Sequence, residues 1–327
     1  MAVETDVAIL MSTYNGEKFI KEQIDSIINQ TYDNWKLYIR DDGSTDNTLN
    51  IIKNYVESNS NIFVLSKDKN VGVIDSFFIL LRNVNANFYM CCDQDDVWLS
   101  TKIEDTVKGL NGDFSNPILV YTKKIIVDEN LNKMGEEKQI MTSRMKEPSF
   151  SMLILDNIIS GCSMGFNKKL RDIVIRSINS NHDGIIMHDW WIAILASYFG
   201  EIYFVDKDEM LYRQHNGNVV GANIKVNILY KIFTKMLKLL KHDNSFRANL
   251  KKSFDQANEF YEYSQQTDYS PTICGISLRE VLDFLMVDYK KKNGMHNIFK
   301  AKKLRIRMTT AYSTLRLYIL LLTKSNI

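Results

Sequence analysis

Three carboxylates follow a short apolar run in FYMCCDQDDVWL: Asp93, Asp95 and Asp96. The run before them predicts a short buried strand, and like charges at the end of such a strand repel one another and resist burial. A divalent cation held by oxygen ligands would offset that repulsion. In an open α/β sheet, the space beyond the carboxyl ends of the strands is also where ligands bind. The alternative is a solvated turn whose Asp96 caps the next helix, and the motif alone does not decide between them.

Polar residues also follow two other predicted strands. The first strand leads into Ser12-Thr13-Tyr14-Asn15-Gly16-Glu17, and the second leads into Asp41-Asp42-Gly43. Backbone amides at a helix start suit an anionic or polar ligand, and Tyr14 can stack on a base. Each segment alone is better explained by a helix cap or an Asp–Gly turn. Three polar clusters at one edge of a parallel sheet, however, favour a binding crevice.

Alternating strand and helix signals position these clusters. Strands are predicted at residues 7–12, 35–40, 62–66, 88–92, 118–122, 162–166, 202–205 and 210–213. Helices are predicted at residues 17–30, about 44–57 (capped by Ser44 or Thr45), 73–84, 99–110, 168–178 and 189–199. Repeated β-α-β units imply a largely parallel sheet with helices on its faces.

The composition is that of an ordinary globular protein. The 327 residues are 45% hydrophobic and 24% charged, enough for one large domain with an appendage. The four cysteines lack metal-ligand spacing and are interpreted as small buried side chains in a reducing cytosol. The acidic N-terminus is unlike a secretory signal. The sequence lacks an uncharged run of about 18 apolar residues, so a transmembrane helix is not predicted.

The charge is divided unevenly along the chain. Residues 225–327 carry 19 Lys or Arg and 8 Asp or Glu, whereas residues 1–224 carry a net charge of −9. We therefore predict a catalytic domain at 1–224 and a basic, mainly helical region at 225–327. The stretches 226–241, 300–307 and 311–323 combine basic and apolar residues, which favours contact with an anionic membrane surface. Packing on the catalytic domain or homo-oligomerisation are the alternatives, and no nucleic-acid motif is present.

The segments STYNGEKFIKEQIDSIINQTY, RDDGSTDNT and DQDDVW together resemble the family 2 glycosyltransferases. The resemblance covers about residues 5–220. It implies the GT-A fold, a Rossmann-like mixed and mostly parallel sheet flanked by helices, here with a C-terminal helical extension. It also implies a nucleotide-sugar donor, Mg²⁺ or Mn²⁺ as cofactor, and inversion at the anomeric carbon.

The resemblance assigns donor-side roles to the strand-end clusters. Thr13, Tyr14 and Glu17 would line the nucleoside pocket, and Asp42 would meet the base. Asp93 and Asp95 would form the DxD element, with Asp95 on the metal and Asp93 on the metal or the ribose. Asp96 would cap the helix near Leu99.

Later segments supply the remaining candidates. Where family members often carry Glu-Asp, this chain has His188-Asp189-Trp190-Trp191, a pattern that resembles a rhamnosyltransferase-like branch. Asp189 matches the catalytic base, and His188, Trp190 and Trp191 would contact the acceptor. The alternative is an N-capping Asp beside two core tryptophans.

The segment YRQHNGNVVGA contains two further donor-side candidates. His215 would complete the metal site or touch the diphosphate, and Arg213 would meet phosphate. Residues 216–223 are a predicted lid, and residues 157–165 resemble the acceptor side.

These expectations describe a cytoplasmic, metal-dependent inverting glycosyltransferase, peripheral on the inner face of a bacterial membrane. It would extend a lipid-linked glycan in surface polysaccharide synthesis. The HDWW and YRQHNGNVVGA segments favour dTDP-rhamnose as donor, and UDP-hexose is the alternative. A sugar nucleotidyltransferase or a non-catalytic binding protein are the other classes.

Overall fold

A computed structural model describes residues 6–67, 69–110, 115–134, 148–178, 183–215, 244–273, 275–288 and 294–323. The chain divides into two compact units: unit 1 comprises residues 1–147, 159–176 and 200–223, and unit 2 comprises residues 148–158, 177–199 and 224–327. The predicted lid at 216–223, the basic stretch at 226–241 and the predicted domain boundary at 224/225 lie outside the described residues. The boundary therefore stays a prediction.

Unit 1 is built on an eight-stranded mixed sheet. Its strands are β1 (Val7–Thr13), β2 (Trp35–Asp41), β3 (Ile62–Lys67), β4 (Phe88–Cys92), β5 (Val97–Trp98), β6 (Ile118–Val127), β7 (Met164–Asn167) and β8 (Glu201–Arg213). Their order is β3-β2-β1-β4-β7-β6-β8-β5. β3, β2, β1 and β4 are mutually parallel, β6 and β8 are parallel, and β7 and β5 are antiparallel to their neighbours.

Helices flank this sheet and contribute buried apolar side chains to its core. They are α1 (Ile20–Ile28), α2 (Thr48–Ser58), α3 (Val73–Asn83), α4 (Lys102–Lys108) and α6 (Lys168–Ser177). In α1, Ile20, Ile24 and Ile27 recur at helical spacing and are fully buried. The predicted mixed, mostly parallel sheet flanked by helices is confirmed.

Three local predictions are wrong. α2 begins at Thr48 with Asn47 at its N-cap, because the Ser44 hydroxyl donates to Asp41 and is not available to the helix. α4 begins at Lys102 with Thr101 at its N-cap, so Asp96 is not a helix cap.

The third error concerns β8, where two short strands were expected. A single strand runs from Glu201 to Arg213. The polar residues 206–208 lie within it, where the register with β6 is irregular. Residues 161–163 similarly form a 3₁₀ turn before β7 begins at Met164.

Unit 2 is mainly helical. Its elements are α5 (Phe150–Leu153), α7 (His188–Phe199), α8 (Asn244–Gln265), a hairpin of β9 (Thr272–Ile273) and β10 (Ile276–Ser277), α9 (Leu278–Asp283), a π-helix (Phe284–Asp288), α10 (Gly294–Lys303) and α11 (Ala311–Thr323). Aromatic rings of Phe150, Tyr198 and Phe260 pack together at its centre. The predicted C-terminal helices are confirmed, and within the described ranges no helix has the length and apolar character to cross a bilayer.

Candidate active site

Asp95 and His215 are in direct contact. Asp95 follows β4 and His215 follows β8, and the Asp95 Oδ2 atom lies 2.7 Å from the His215 Nε2 atom. Both side chains are mostly buried, and the Phe19 ring lies against the imidazole with centroids 4.8 Å apart. The fold therefore brings together two of the predicted metal ligands, which are far apart in the sequence.

Asp93 and Asp96 lie beside a thiol. Oxygen atoms of both carboxylates and the Cys162 Sγ atom lie within 4.8 Å of one another. Asp96 is completely buried; its Oδ1 atom accepts the backbone N–H of Arg213 at 3.0 Å. Its Oδ2 atom has no hydrogen-bond partner among the described residues.

The electrostatics of this cluster suit a cation. Burial first, and then the charges of Asp93 and Asp95, raise the pKa of the Asp96 carboxyl well above its ordinary value. A buried carboxylate oxygen without a partner, next to like charges, is a costly arrangement for a protein by itself. Clustered carboxylate oxygens with one imidazole match the preferences of Mg²⁺ and Mn²⁺. The residues present therefore fit a divalent cation.

Arg213 is a buried connector within unit 1. Its Nε atom donates to the backbone carbonyl of Asp95 at 2.7 Å. Its two terminal nitrogens donate to the Glu129 carbonyl and the Glu22 carboxylate, and its guanidinium lies 4.5 Å from the Phe19 ring centroid. The side chain predicted to meet phosphate is thus engaged by protein groups and 1% exposed.

Gln94 joins the acidic segment after β4 to the segment after β1. Its side-chain amide exchanges two hydrogen bonds with the backbone of Tyr14, at 2.9 and 3.0 Å. A Cβ atom at Gly16 would lie 2.2 Å from the Gln94 Oε1 atom, so any larger residue would displace the Gln94 amide from this position. The Tyr14 side chain is left 48% exposed, as a surface available to a base.

The second loop is organised by Asp41 and Asp42. Asp41 accepts hydrogen bonds from the Thr13 and Ser44 hydroxyls at 3.0 and 2.6 Å. Asp42 pairs with the buried Arg40 guanidinium at 2.5 Å and accepts the backbone N–H groups of residues 71 and 72 at 2.8 Å. Both Asp side chains are almost fully buried, so Asp42 holds the loop through protein contacts, and its role towards a base stays a prediction.

Glu17 connects the first two strand ends. Its backbone N–H donates to the Asp46 carboxylate at 3.1 Å, and its own carboxylate accepts the Asn47 N–H at 2.8 Å. These contacts hold the start of α1 beside the start of α2 at the same edge of the sheet. Thr13, Tyr14, Glu17 and Asp42 are therefore gathered in one region of unit 1.

The acceptor-side candidates lie in unit 2, at the start of α7. Asp189 is partly exposed and its Oδ1 atom accepts the Trp190 backbone N–H at 2.6 Å. The Trp190 indole donates to the Leu153 carbonyl at 2.6 Å. Trp191 is fully buried and donates to the Ser177 hydroxyl at 2.8 Å, as expected of a core tryptophan.

His188 is also buried within unit 2. It is 2% exposed, and burial lowers its pKa to about 4, so the imidazole is neutral at physiological pH. His188 and Trp191 therefore present little surface to an acceptor, and their contact with it stays a prediction. Asp189 and Trp190 are the more accessible members of the group.

Sequence reasoning missed three residues of the unit 1 site. Gln94 lies inside the acidic motif but was given no role, and Glu22 lies in α1 without any motif to single it out. Lys124 on β6 donates to the Ser160 hydroxyl at 2.9 Å. A pair of lysines in an otherwise mostly apolar strand is the one signal that could have pointed to Lys124.

Comparison with known proteins identifies the class. Residues 8–174 match the family model described as glycosyl transferase family 2. The chain therefore belongs to the family 2 glycosyltransferases, as the strand-end motifs predicted.

Individual relatives give a finer view. The dTDP-rhamnosyl transferase RfbG of Shigella flexneri is 32% identical over 231 residues, 68% of this chain and 77% of that protein. The crystal structure of S. aureus TarS in complex with UDP-GlcNAc has a TM-score of 0.55 at 16% identity, covering 96% of this chain and 90% of that one. The mannosyltransferase PcManGT of Pyrobaculum calidifontis, in complex with GDP-Man and Mn²⁺, has a TM-score of 0.52 at 12% identity, covering 99% and 77%. At these identities the solved structures show the shared GT-A fold alone.

Proposed function

We propose that this glycosyltransferase inverts the anomeric centre while moving a sugar from a nucleoside-diphosphate donor to a hydroxyl group of a glycan. The observation that carries the proposal is the contact between Asp95 and His215 beside Asp93, at the end of β4. Ligands in open α/β sheets bind beyond such strand ends, and carboxylates with an imidazole are suited to a cation that accompanies a diphosphate.

Asp93, Asp95 and His215 would hold Mg²⁺ or Mn²⁺ in this site. When bound, the ion would neutralise negative charge on the departing diphosphate. The Mn²⁺ complex of PcManGT supports this proposal by analogy of fold.

The nucleoside would lie against the first two strand ends. The exposed Tyr14 ring offers a face on which a base can stack. Thr13, Glu17 and Asp42 hold the surrounding loops through the contacts described above, which fixes the shape of this pocket. Arg213 holds the neighbouring segment after β4 through its hydrogen bond to the Asp95 carbonyl.

Asp189 is proposed as the general base in the acceptor half of the reaction. Its carboxylate would take the proton from the acceptor hydroxyl as that oxygen forms a bond to the anomeric carbon. The bond between that carbon and the phosphate oxygen breaks at the same time, and the nucleoside diphosphate leaves with the electron pair. Trp190 would offer its indole to a sugar face, and His188 and Trp191 would fix the helix that carries Asp189.

The donor proposed is dTDP-rhamnose, because RfbG is described as a dTDP-rhamnosyl transferase and matches two-thirds of this chain. The alternative donor is a UDP-hexose, which the fold shared with the UDP-GlcNAc complex of TarS favours. Among the described residues, no feature favours a nucleotidyltransferase or a non-catalytic binding protein.

The acceptor proposed is a lipid-linked glycan at the cytoplasmic face of the membrane, with the enzyme bound there peripherally. Residues 294–323, which contain α10 and α11, hold six Lys or Arg and no Asp or Glu. The same helices expose large apolar side chains: Met295, Phe299, Leu315, Ile319 and Leu322. Exposed apolar groups among basic residues match an anionic bilayer surface, and self-association through these helices is the competing explanation.

Calorimetry of dTDP, UDP and GDP, each with Mn²⁺ and with EDTA, tests the donor and metal assignments together. We expect one nucleotide to bind in a cation-dependent manner, and the Asp95→Asn variant to lose that dependence. The matching sugar nucleotide should then support transfer to a polyprenyl-diphosphate-linked sugar. Failure of every nucleotide to bind under either condition would overturn the proposal.

A further inference from the structure

Lys124 lies at an irregularity between β6 and β8. Lys123 pairs with Asp208 and Ile125 pairs with Leu211, so β8 has one extra residue opposite Lys124. Such bulges change the direction of a side chain and are common beside functional sites. Because successive side chains of a strand point to opposite faces, the two neighbouring lysines have different surroundings: Lys123 forms an ion pair with Asp206 at 3.0 Å.

The Lys124 ammonium is held by neutral groups. Its Nζ atom lies 2.9 Å from the Ser160 Oγ atom and 3.8 Å from the centroid of the Tyr212 ring. Within the described part of the chain, no carboxylate lies within ion-pair distance of this Nζ atom. An ammonium has three donors, and the hydroxyl of Ser160 uses one of them.

The same ammonium lies next to the acidic cluster through its Ser160 partner. The Ser160 Oγ atom lies 3.7 Å from the Cys162 Sγ atom, and that sulfur lies within 4.8 Å of carboxylate oxygens of Asp93 and Asp96. Burial raises the pKa of both the Cys162 thiol and the Asp96 carboxyl, and the positive charge of Lys124 opposes both effects. Burial, and then the charges of Cys162, Asp93 and Asp96, raise the pKa of the Tyr212 phenol, on whose ring Lys124 sits. Lys124 therefore supplies positive charge next to the proposed metal ligands without being neutralised by any one of them.

We propose that Lys124 is a further catalytic residue, which donates a hydrogen bond from its ammonium to a phosphate oxygen of the donor diphosphate. This inference rests on the proposed function. Lysine is a common phosphate ligand that acts as a point charge. Because negative charge accumulates on the diphosphate as its bond to the sugar breaks, the interaction strengthens in the transition state and favours turnover as well as binding.

Binding of a nucleoside diphosphate and of the matching nucleoside separates this role from a structural one. In Lys124→Met, the hydrocarbon stem can still pack on Tyr212 while the charge is lost. We expect affinity for the diphosphate in Mn²⁺ to fall by about 10- to 100-fold, the range of a lost charged hydrogen bond. Affinity for the nucleoside should be unchanged, and Lys124→Arg should retain most of the diphosphate affinity.

Lys123→Met is the matched control, because it removes the same charge one residue away. It should leave both affinities unchanged. Equal losses for nucleoside and diphosphate in Lys124→Met, or equal losses in the two Met variants, would overturn the assignment. The diphosphate that Lys124 contacts could instead belong to the lipid-linked acceptor, and farnesyl diphosphate is the probe for that case. If Lys124→Met loses affinity only for farnesyl diphosphate, the assignment to the donor diphosphate is overturned.

Nucleotide binding by the wild-type protein separates the role of Lys124 from the donor assignment. If the wild-type protein binds no nucleotide with or without Mn²⁺, both are overturned. If the wild type binds a nucleoside diphosphate and Lys124→Met binds it equally well, only the role of Lys124 is overturned.

Discussion

The carboxylate of Asp95 and the imidazole of His215 lie 2.7 Å apart although 120 residues separate them in the chain. One follows β4 and the other follows β8, so the contact depends on the whole sheet being assembled. The contact therefore holds the end of β8 against the acidic segment after β4, where we propose that a cation and a diphosphate bind.

The first prediction concerns His215. In His215→Ala and Asp95→Asn, the Mn²⁺-dependent part of nucleotide affinity should fall by about 10- to 100-fold, because each substitution removes one strong ligand. Titration calorimetry in Mn²⁺ and in EDTA measures this part directly. Glu57→Gln, an exposed acid paired only loosely with Lys53 at 3.7 Å, is the control and should behave as wild type. Wild-type affinities in both ligand variants would contradict the metal assignment.

The second prediction concerns Arg213, for which the structure supports a positioning role in place of the phosphate contact expected from the sequence. Its guanidinium donates to the Asp95 carbonyl and to Glu22. Arg213→Met leaves these acceptors unsatisfied, so the free energy of unfolding should fall by about 2–4 kcal/mol. Lysine should not restore it, because the planar fork of arginine is needed to reach several acceptors at once.

Nucleotide binding distinguishes the two roles of Arg213. A positioning residue acts through Asp95, so Arg213→Met should weaken binding in Mn²⁺ and leave binding in EDTA unchanged. A residue that touches phosphate would weaken binding in both conditions. Glu22→Gln keeps a neutral acceptor for the guanidinium and should show the same pattern with a smaller effect.

The difference between prediction and structure has a physical cause at each residue. The strand ends at Asp93 and Asp42 were predicted because an apolar run that gives way to polar residues is a local signal. The partners of Arg213 and Asp96 come from distant parts of the chain, and no local pattern records which acceptor a buried side chain will reach. Lys124 was missed for the same reason, since its partners Ser160 and Tyr212 are distant in the sequence.

The third prediction concerns Asp189. Asp189→Asn keeps an oxygen that can accept the Trp190 N–H but cannot take a proton at neutral pH. We expect kcat for sugar transfer to fall by about 10²–10⁴-fold, the range of lost general-base catalysis. Donor affinity measured by calorimetry should be unchanged, because the proposed donor groups lie in unit 1. Retention of full turnover would show that another group accepts the proton.

The fourth prediction concerns Glu209 on β8, away from the proposed ligands. Burial first, and then Asp105, raise the pKa of the Glu209 carboxyl to about 7, while Thr101 and Lys102 act in the opposite direction. Lys207 is another charged group beside Glu209 and Asp105, and it forms an ion pair with Asp105 at 2.8 Å. Since the folded-state pKa lies above the unfolded value of about 4.3, folding favours the protonated form of Glu209.

The sign of the pH dependence follows from this difference. The folded state binds more protons than the unfolded state between about pH 4 and pH 7, so the contribution of Glu209 to stability declines as pH rises through that window. Glu209→Gln mimics the protonated form and should be more stable than wild type at pH 8, by about 1–3 kcal/mol, with little difference at pH 4. Urea unfolding of both proteins across this range measures the effect. A difference between the two proteins that does not change with pH would contradict the raised pKa.

The fifth prediction concerns the helices α10 and α11. Phe299 and Leu315 are 67% and 49% exposed on a segment whose only charges are basic. Replacing both with serine should weaken binding to vesicles containing anionic lipid by about tenfold or more, because fully burying each such side chain contributes about 1.5–3 kcal/mol. Binding to vesicles of neutral lipid should be weak for both proteins, and sedimentation with vesicles measures each case.

The matched control for these helices removes exposed apolar side chains from unit 1. The double variant Phe63→Ser, Val71→Ser replaces two apolar side chains that are 39% and 42% exposed. It should leave vesicle binding unchanged. If the α10–α11 variant instead binds vesicles normally but changes from an oligomer to a monomer in sedimentation velocity, the helices serve self-association. Salt also separates the two cases. Anionic headgroups attract the six basic residues, so raising the salt concentration should weaken binding to vesicles. An identical copy of the segment repels the same residues, so raising the salt concentration should strengthen self-association.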